Sequence, residues 1–194
     1  MVGNGAAPGK GGRRHANTQM KGVAMRINVE LEDGLLPDRF GKYARRRDKA
    51  DGVPARSFPI EVEDVPEGAE SLALVFIDFD SVPVGGFVWI HWLACNFPAG
   101  VGLIPEDESA TREVPCVQGR NSSWSPMAGA SRNPKVYARY NGPQPPDKTH
   151  DYTLIVYALD CTLDLKEGYY LNEFRRAIQG HVLDQASMEI PSRA

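Results

Sequence analysis

The chain has 194 residues, 42% of them hydrophobic and 24% charged, and a net charge of −3. That length and balance suit one globular domain with a sizeable core, and they exclude a strongly basic nucleic-acid binder. No apolar run approaches the roughly 18 residues of a membrane helix, so no transmembrane segment is expected.

Residues 1–24 are rich in Gly, Ala, Lys and Arg and lack the apolar core of a secretory signal. They read as a disordered extension, native or left from expression, with residues 25–194 as a single domain. Removing the four cations of this extension leaves 18 basic and 25 acidic residues, a body of about −7. Residues 37–56, PDRFGKYARRRDKADGVPAR, are polar and read as a loop whose basic cluster, Arg45–Arg47, is a solvated surface. ESLALVFIDF (70–79) is nearly continuously apolar and rich in β-formers, which predicts a strand covered on both faces. FVWIHWLACN (87–96) and DYTLIVYALD (151–160) read the same way, each bounded by Gly, Pro or Asp. Between them, residues 97–150 hold eight prolines and many Gly, Ser and Asn, which predicts a long irregular segment with one short strand. Such segments tend to carry function. Leu171, Phe174, Ile178 and Val182 recur at helical spacing, with Gly180 as a stop. HVLDQASMEI (181–190) then alternates as a last strand. The expected fold class is mainly β with one or two C-terminal helices. The three cysteines, Cys95, Cys116 and Cys161, have no metal-like spacing; Cys95 and Cys161 fall in the apolar strands and read as buried free thiols of a reducing compartment.

Four polar segments could converge: Asp78-x-Asp80, His91, YNGPQPP (140–146) and HDY (150–152). In extended chain His150 and Tyr152 share one face and Asp151 points to the other; Asp78 and Asp80 also share a face. A carboxylate beside His91 or His150 favours the imidazolium, which can donate to an anion. Backbone N–H groups around Gly142 and the Tyr152 hydroxyl could add donors. Each residue also has a bland reading: His91 as a satisfied core histidine, Asp78 and Asp80 as turn residues. Two histidines with two carboxylates could instead hold a metal, and Ser122, Ser123 or Ser125 near His150 and Asp80 could mimic a hydrolytic triad. No Gly-x-Ser-x-Gly elbow or close histidine pair supports either alternative.

The ordered motifs DFDSVP (78–83), VWIHWLACN (88–96), QGRN (118–121), GPQPPDKTHDY (142–152), LIVYALD (154–160) and AIQGHVLDQASM (177–188) resemble the phosphatidylethanolamine-binding protein (PEBP) family, in its bacterial Raf-kinase-inhibitor-like branch. The resemblance covers roughly residues 57–190. It implies a large central antiparallel sheet packed on a smaller one, with a C-terminal helix. It implies an anion pocket of Asp78, Asp80, Trp89, His91, the loop Gly142, Pro143 to Pro146, His150 and Tyr152, with Gly119–Asn121 beside it. It further implies a non-enzymatic, cytoplasmic, homodimeric binder of a small anion or phosphorylated head group that regulates or inhibits a kinase or protease. No cofactor, metal or nucleic-acid partner is expected. The chain departs from the family pattern in three places: Phe79 for Pro, an inserted Val82, and Asp151 where Arg is usual. The last removes a cation from near the site. Positive charge should then come from His91 and His150, so anion binding should be weak and strengthen in mild acid.

Overall fold

A computed structural model describes Met1 and residues 23–194, so the expected extension lies almost wholly outside the described residues. Ten strands follow in order: β1 (Arg26–Asn28), β2 (Lys49–Ala50), β3 (Val53–Pro54), β4 (Ile60–Glu63), β5 (Ser71–Asp78), β6 (Trp89–Pro98), β7 (Leu103–Ile104), β8 (Val117–Gln118), β9 (His150–Leu159) and β10 (Val182–Ser192). Four short helices join them: α1 (Val82–Gly85), α2 (Glu108–Thr111), α3 (Pro134–Tyr137) and α4 (Leu171–Ala177). The strands make a five-stranded sheet, β10-β9-β5-β6-β8, a three-stranded sheet, β1-β4-β7, and the small ladder β2-β3. All pairings in them are antiparallel.

The apolar run 70–79 is the centre of the large sheet. Every residue of β5 is buried. The strand's period of two splits it between two cores. Leu72, Leu74 and Phe76 enter the core that includes Phe58, Ile60, Trp92, Tyr140 and Leu154. Ala73, Val75 and Ile77 enter the core under α4, with Leu93, Cys95, Tyr169 and Phe174. A strand packed on both sides needs an unbroken hydrophobic run, as this segment has.

Three expectations change. Residues 97–150 carry β7, β8, α2 and α3, more regular structure than one short strand. Helix α4 ends at Ala177, and Val182 opens β10 after a turn in which Gly180 takes a positive φ of 82°. Cys161 lies past the end of β9 and is half-buried, while Cys95 is fully buried. Among the described residues no helix is long and apolar enough to cross a membrane.

Candidate functional site

The site forms where three strands of the large sheet end together. Register places Asp78 of β5 beside Trp89 of β6 on one side and Tyr152 of β9 on the other. Two residues before Tyr152, on the same face, stands His150. A break in register brings in His91. Phe76 pairs with Trp92, but Ile77 pairs with Ile90, so His91 is an extra residue in β6. Such a bulge re-aims a side chain. Consecutive residues would otherwise alternate. Here Trp92 packs in the core with Phe76, and His91 also lies against Phe76, with ring centroids 5.6 Å apart. Tyr152 approaches the His91 ring at 5.0 Å and the His150 ring at 6.1 Å.

These groups line a cavity of about 390 Å³. Nine expected residues are in its wall: Asp78, Trp89, His91, Gly142, Gln144, Pro145, Pro146, His150 and Tyr152. Asp80 and Pro143 are not. Asp80 Oδ2 accepts the Asp151 N–H at 3.1 Å, fastening the end of β5 to the start of β9. Pro143 is buried behind the loop, its carbonyl against Gly41. Gly119–Asn121 also stand one layer back. Asn121 accepts the Ser123 N–H at 2.9 Å, and it is Ser123 that reaches the cavity. Ser81, Phe87 and Asn141 join the wall too. The inserted Val82 is absorbed in the single turn α1, closed by Gly86 at φ 83°, and this turn presents Val84 and Gly85 to the cavity.

The charge on each group follows from its contacts. His91 is buried, and its Nδ1 donates to the Asn141 carbonyl at 2.5 Å. Burial pushes its pKa down to about 4; the Asn141 carbonyl and the Asp78 charge oppose this only in part. His91 is therefore neutral, with Nε2 an acceptor. This corrects the expectation that nearby acids make it an imidazolium. His150 differs. Its Nδ1 meets Asp78 Oδ2 at 2.8 Å and its Nε2 meets Asp147 Oδ1 at 2.9 Å. Burial pulls its pKa down, but the hydrogen bonds and charges of both carboxylates outweigh that and raise it above the usual value. With an acceptor on each nitrogen, His150 is a cation. Its side chain is only 1% exposed, whereas Asp147 is 53% exposed. Asp78 Oδ1 also accepts the Ser81 N–H at 3.0 Å. Burial and then the Asp78 charge hold the Tyr152 hydroxyl protonated, well above its ordinary range.

Two further expectations change. Two backbone donors around Gly142 are spent: Asn141 N–H goes to the His91 carbonyl at 2.9 Å and Gly142 N–H to the Pro54 carbonyl at 2.8 Å. The Gln144 N–H stays at the cavity wall, beside the Tyr152 hydroxyl. Prolines 143, 145 and 146 have no N–H to offer. Nor does Asp151 take a cation out of the pocket, for it is exposed on the opposite side of β9 from His150 and Tyr152. Gly142 has a different purpose. A Cβ there would lie 2.2 Å from the Phe40 carbonyl oxygen and 2.7 Å from Pro54 Cβ. The serine alternative needs a hydroxyl on a histidine. Ser123 Oγ accepts from Asn141 Nδ2 at 2.5 Å, and among the described residues no serine hydroxyl bonds a histidine.

The Asp147 contribution is not visible in sequence, and Ser123 stands out there only as a possible hydrolytic nucleophile, not as a donor in the cavity wall. Asp147 precedes His150 by three residues in the loop, a spacing that lets it reach back, but loop shape decides whether it does.

The family model described as Phosphatidylethanolamine-binding protein matches residues 27–192. The YxkA protein of Bacillus subtilis is 50% identical over 169 residues, covering 87% of this chain and 99% of that protein. A Chlamydia pneumoniae protein is 33% identical over 133 residues, 67% of this chain and 77% of that one. The crystal structure of a PEBP homologue from Chlamydia trachomatis superposes with a TM-score of 0.67 at 26% identity, covering 88% of this chain and 98% of that one. Escherichia coli YbcL, described as a member of the mammalian PEBP family, shares the fold, with a TM-score of 0.70 at 22% identity over 89% and 99% of the two chains. The match of the family model across almost all described residues, over a β5–β6–β9 site built from its motifs, leads to one conclusion: this chain belongs to the phosphatidylethanolamine-binding protein family.

Proposed function

We propose that the chain binds a small phosphorylated head group in this cavity and does not turn it over. The observation that carries the reading is the environment of His150. A buried imidazolium is held from behind by buried Asp78 and from outside by exposed Asp147. An exposed carboxylate is exchangeable, so a phosphate oxyanion can take the place of Asp147 on Nε2 with a charge-assisted bond. Ser123 can donate its O–H, since its oxygen accepts from Asn141. Neutral His91 can accept from a protonated phosphate oxygen, a hydroxyl or an ammonium. Phe87, Trp89 and the Pro145–Pro146 pair supply an apolar wall for the carbon part of a head group, and the volume suits a small ligand. Control of a kinase or protease would be expressed as a change in partner affinity with this pocket filled.

Titration with phosphorylethanolamine and with inorganic phosphate tests the reading. Binding should weaken as pH rises through the His150 pKa, because the raised pKa keeps the cation present below it. His150→Gln should abolish that dependence and His91→Gln should keep it. Binding of undiminished strength in His150→Gln, or release of phosphate from phosphorylethanolamine, would overturn the proposal.

A further inference from the structure

We propose that Asp160, Cys161 and His181 form a binding site for one zinc ion, at the end of the large sheet opposite the ligand cavity. A carboxylate oxygen, a thiol sulfur and an imidazole nitrogen from these residues all lie within 4.8 Å of one another. In a tetrahedral zinc shell, with bonds of about 2.0–2.3 Å, neighbouring ligand atoms stand about 3.5 Å apart. Small side-chain rotations therefore suffice. A mixed O, N and S set is of the borderline softness that suits zinc, and three protein ligands leave a fourth position for water.

The main chain holds the two contributing segments together without help from the metal. Asp160 N–H donates to the His181 carbonyl at 3.1 Å, and His181 N–H donates to the Ile178 carbonyl at 3.1 Å. Ser71 Oγ donates to the Cys161 carbonyl at 2.5 Å. Asp160 and Cys161 are neighbours in sequence, and in a strand their side chains would part. They converge because β9 has ended at Leu159 and the chain bends there. Among the described residues Asp160 makes an ion pair only with His181, at 2.8 Å, and no lysine or arginine neutralises it. Glu70 adds a second negative charge close enough to act on Cys161. The cluster is thus preorganised, acidic and without a fixed counter-cation. It sits at the Ser71 end of β5 and the ligand cavity at the Asp78 end, about 23 Å apart at the usual rise per residue, so neither site needs the other. Cys95 and Cys116 do not compete for the assignment: among the described residues no carboxylate–imidazole pair accompanies them.

Cobalt(II) is the probe, because thiolate ligation gives it a charge-transfer band in the near ultraviolet. The full chain, freed of metal by chelator, is titrated with cobalt and then with zinc. The expected result is one cobalt per chain, a thiolate band, and its loss when zinc displaces the cobalt. Cys161→Ser should remove the band. Asp160→Asn and His181→Gln, checked for native circular dichroism, should each weaken binding about tenfold or more, the scale of losses on altering metal-site residues. Absence of a band in the wild type overturns the proposal. So does a band that survives Cys161→Ser, or unchanged affinity in both other variants.

Discussion

Two histidines a ring apart should pull stability in opposite directions with pH. His91 has a folded pKa of about 4 against an ordinary value of 6.5. Below the ordinary value the unfolded chain takes a proton that the native state refuses, so stability falls as pH drops from about 6.5 toward 4. A gap of two to three units at about 1.4 kcal/mol each comes to about 3 kcal/mol, most of it lost by about pH 4.5. The ring is fully buried, so solvent screening does not reduce the figure. His150 has the opposite sign. Its raised pKa gives stability that is complete below the unfolded value and is lost as pH rises through the folded one. The curve of stability against pH should therefore peak near neutrality and fall on both sides. Urea midpoints at about pH 8, 6.5 and 4.5, in wild type and His91→Gln, measure it over the normal histidine range. Gln can keep the bond to the Asn141 carbonyl, and the difference between the two proteins removes the carboxylates common to both. Wild type should lose about 2–3 kcal/mol more than the variant on going to acid. Equal acid slopes, or a His91 ring signal that titrates near pH 6.5, would refute the reasoning.

Removing Asp147 should strengthen phosphate binding: in Asp147→Ala the outer nitrogen of His150 loses its resident carboxylate, and calorimetry should show a lower Kd at pH 6. Asp78→Ala strips the buried partner from a buried imidazolium and should cost about 3–5 kcal/mol in urea unfolding, with a fall in the His150 pKa seen by NMR. Gly142→Ala forces a methyl onto the Phe40 carbonyl and should cost about 1–3 kcal/mol, with loss of ligand binding. Asp151→Arg restores the residue usual in relatives, yet that position faces away from the cavity, so phosphate affinity should change by less than about twofold, as for an exposed charge beyond contact range.

How much of this is legible in sequence depends on whether a feature is periodic. The apolar run 70–79 shows a doubly covered strand because burial on both faces leaves no polar residue to break it. His150 and Tyr152 on one face, and Asp151 on the other, follow from period two alone. Asp80 misled for the same reason: it shares alternation with Asp78, but β5 stops at Asp78 and the chain turns away. His91 was found by its rarity in an apolar run, while its charge state was not. Neutrality comes from burial, which outweighs both the Asn141 carbonyl fifty residues on and the Asp78 charge, and no local pattern encodes that balance. The backbone donors near Gly142 illustrate the same limit. A sequence shows which amides exist, and only the fold shows which are already taken.

The loop that closes the cavity has almost no regular structure of its own. It is hung from the segment before β4 by Gly142 N–H to the Pro54 carbonyl at 2.8 Å, by Tyr140 O–H to the Phe40 carbonyl at 2.8 Å and by Lys42 Nζ to the Pro145 carbonyl at 3.0 Å. Each tie spans roughly ninety residues or more of chain, and closing so long a loop is entropically slow. The β5–β6 pair, by contrast, joins neighbours in sequence. The β5–β6 hairpin should accordingly form first, while β9, roughly eighty residues from β5 in sequence, joins on the same long-range terms as the loop. In a pulsed hydrogen-exchange refolding experiment, the β5 amides that bond β6 should be protected while the Gly142 amide still exchanges. A refolding chain would then spend its early life as a hairpin that cannot yet recognise its ligand.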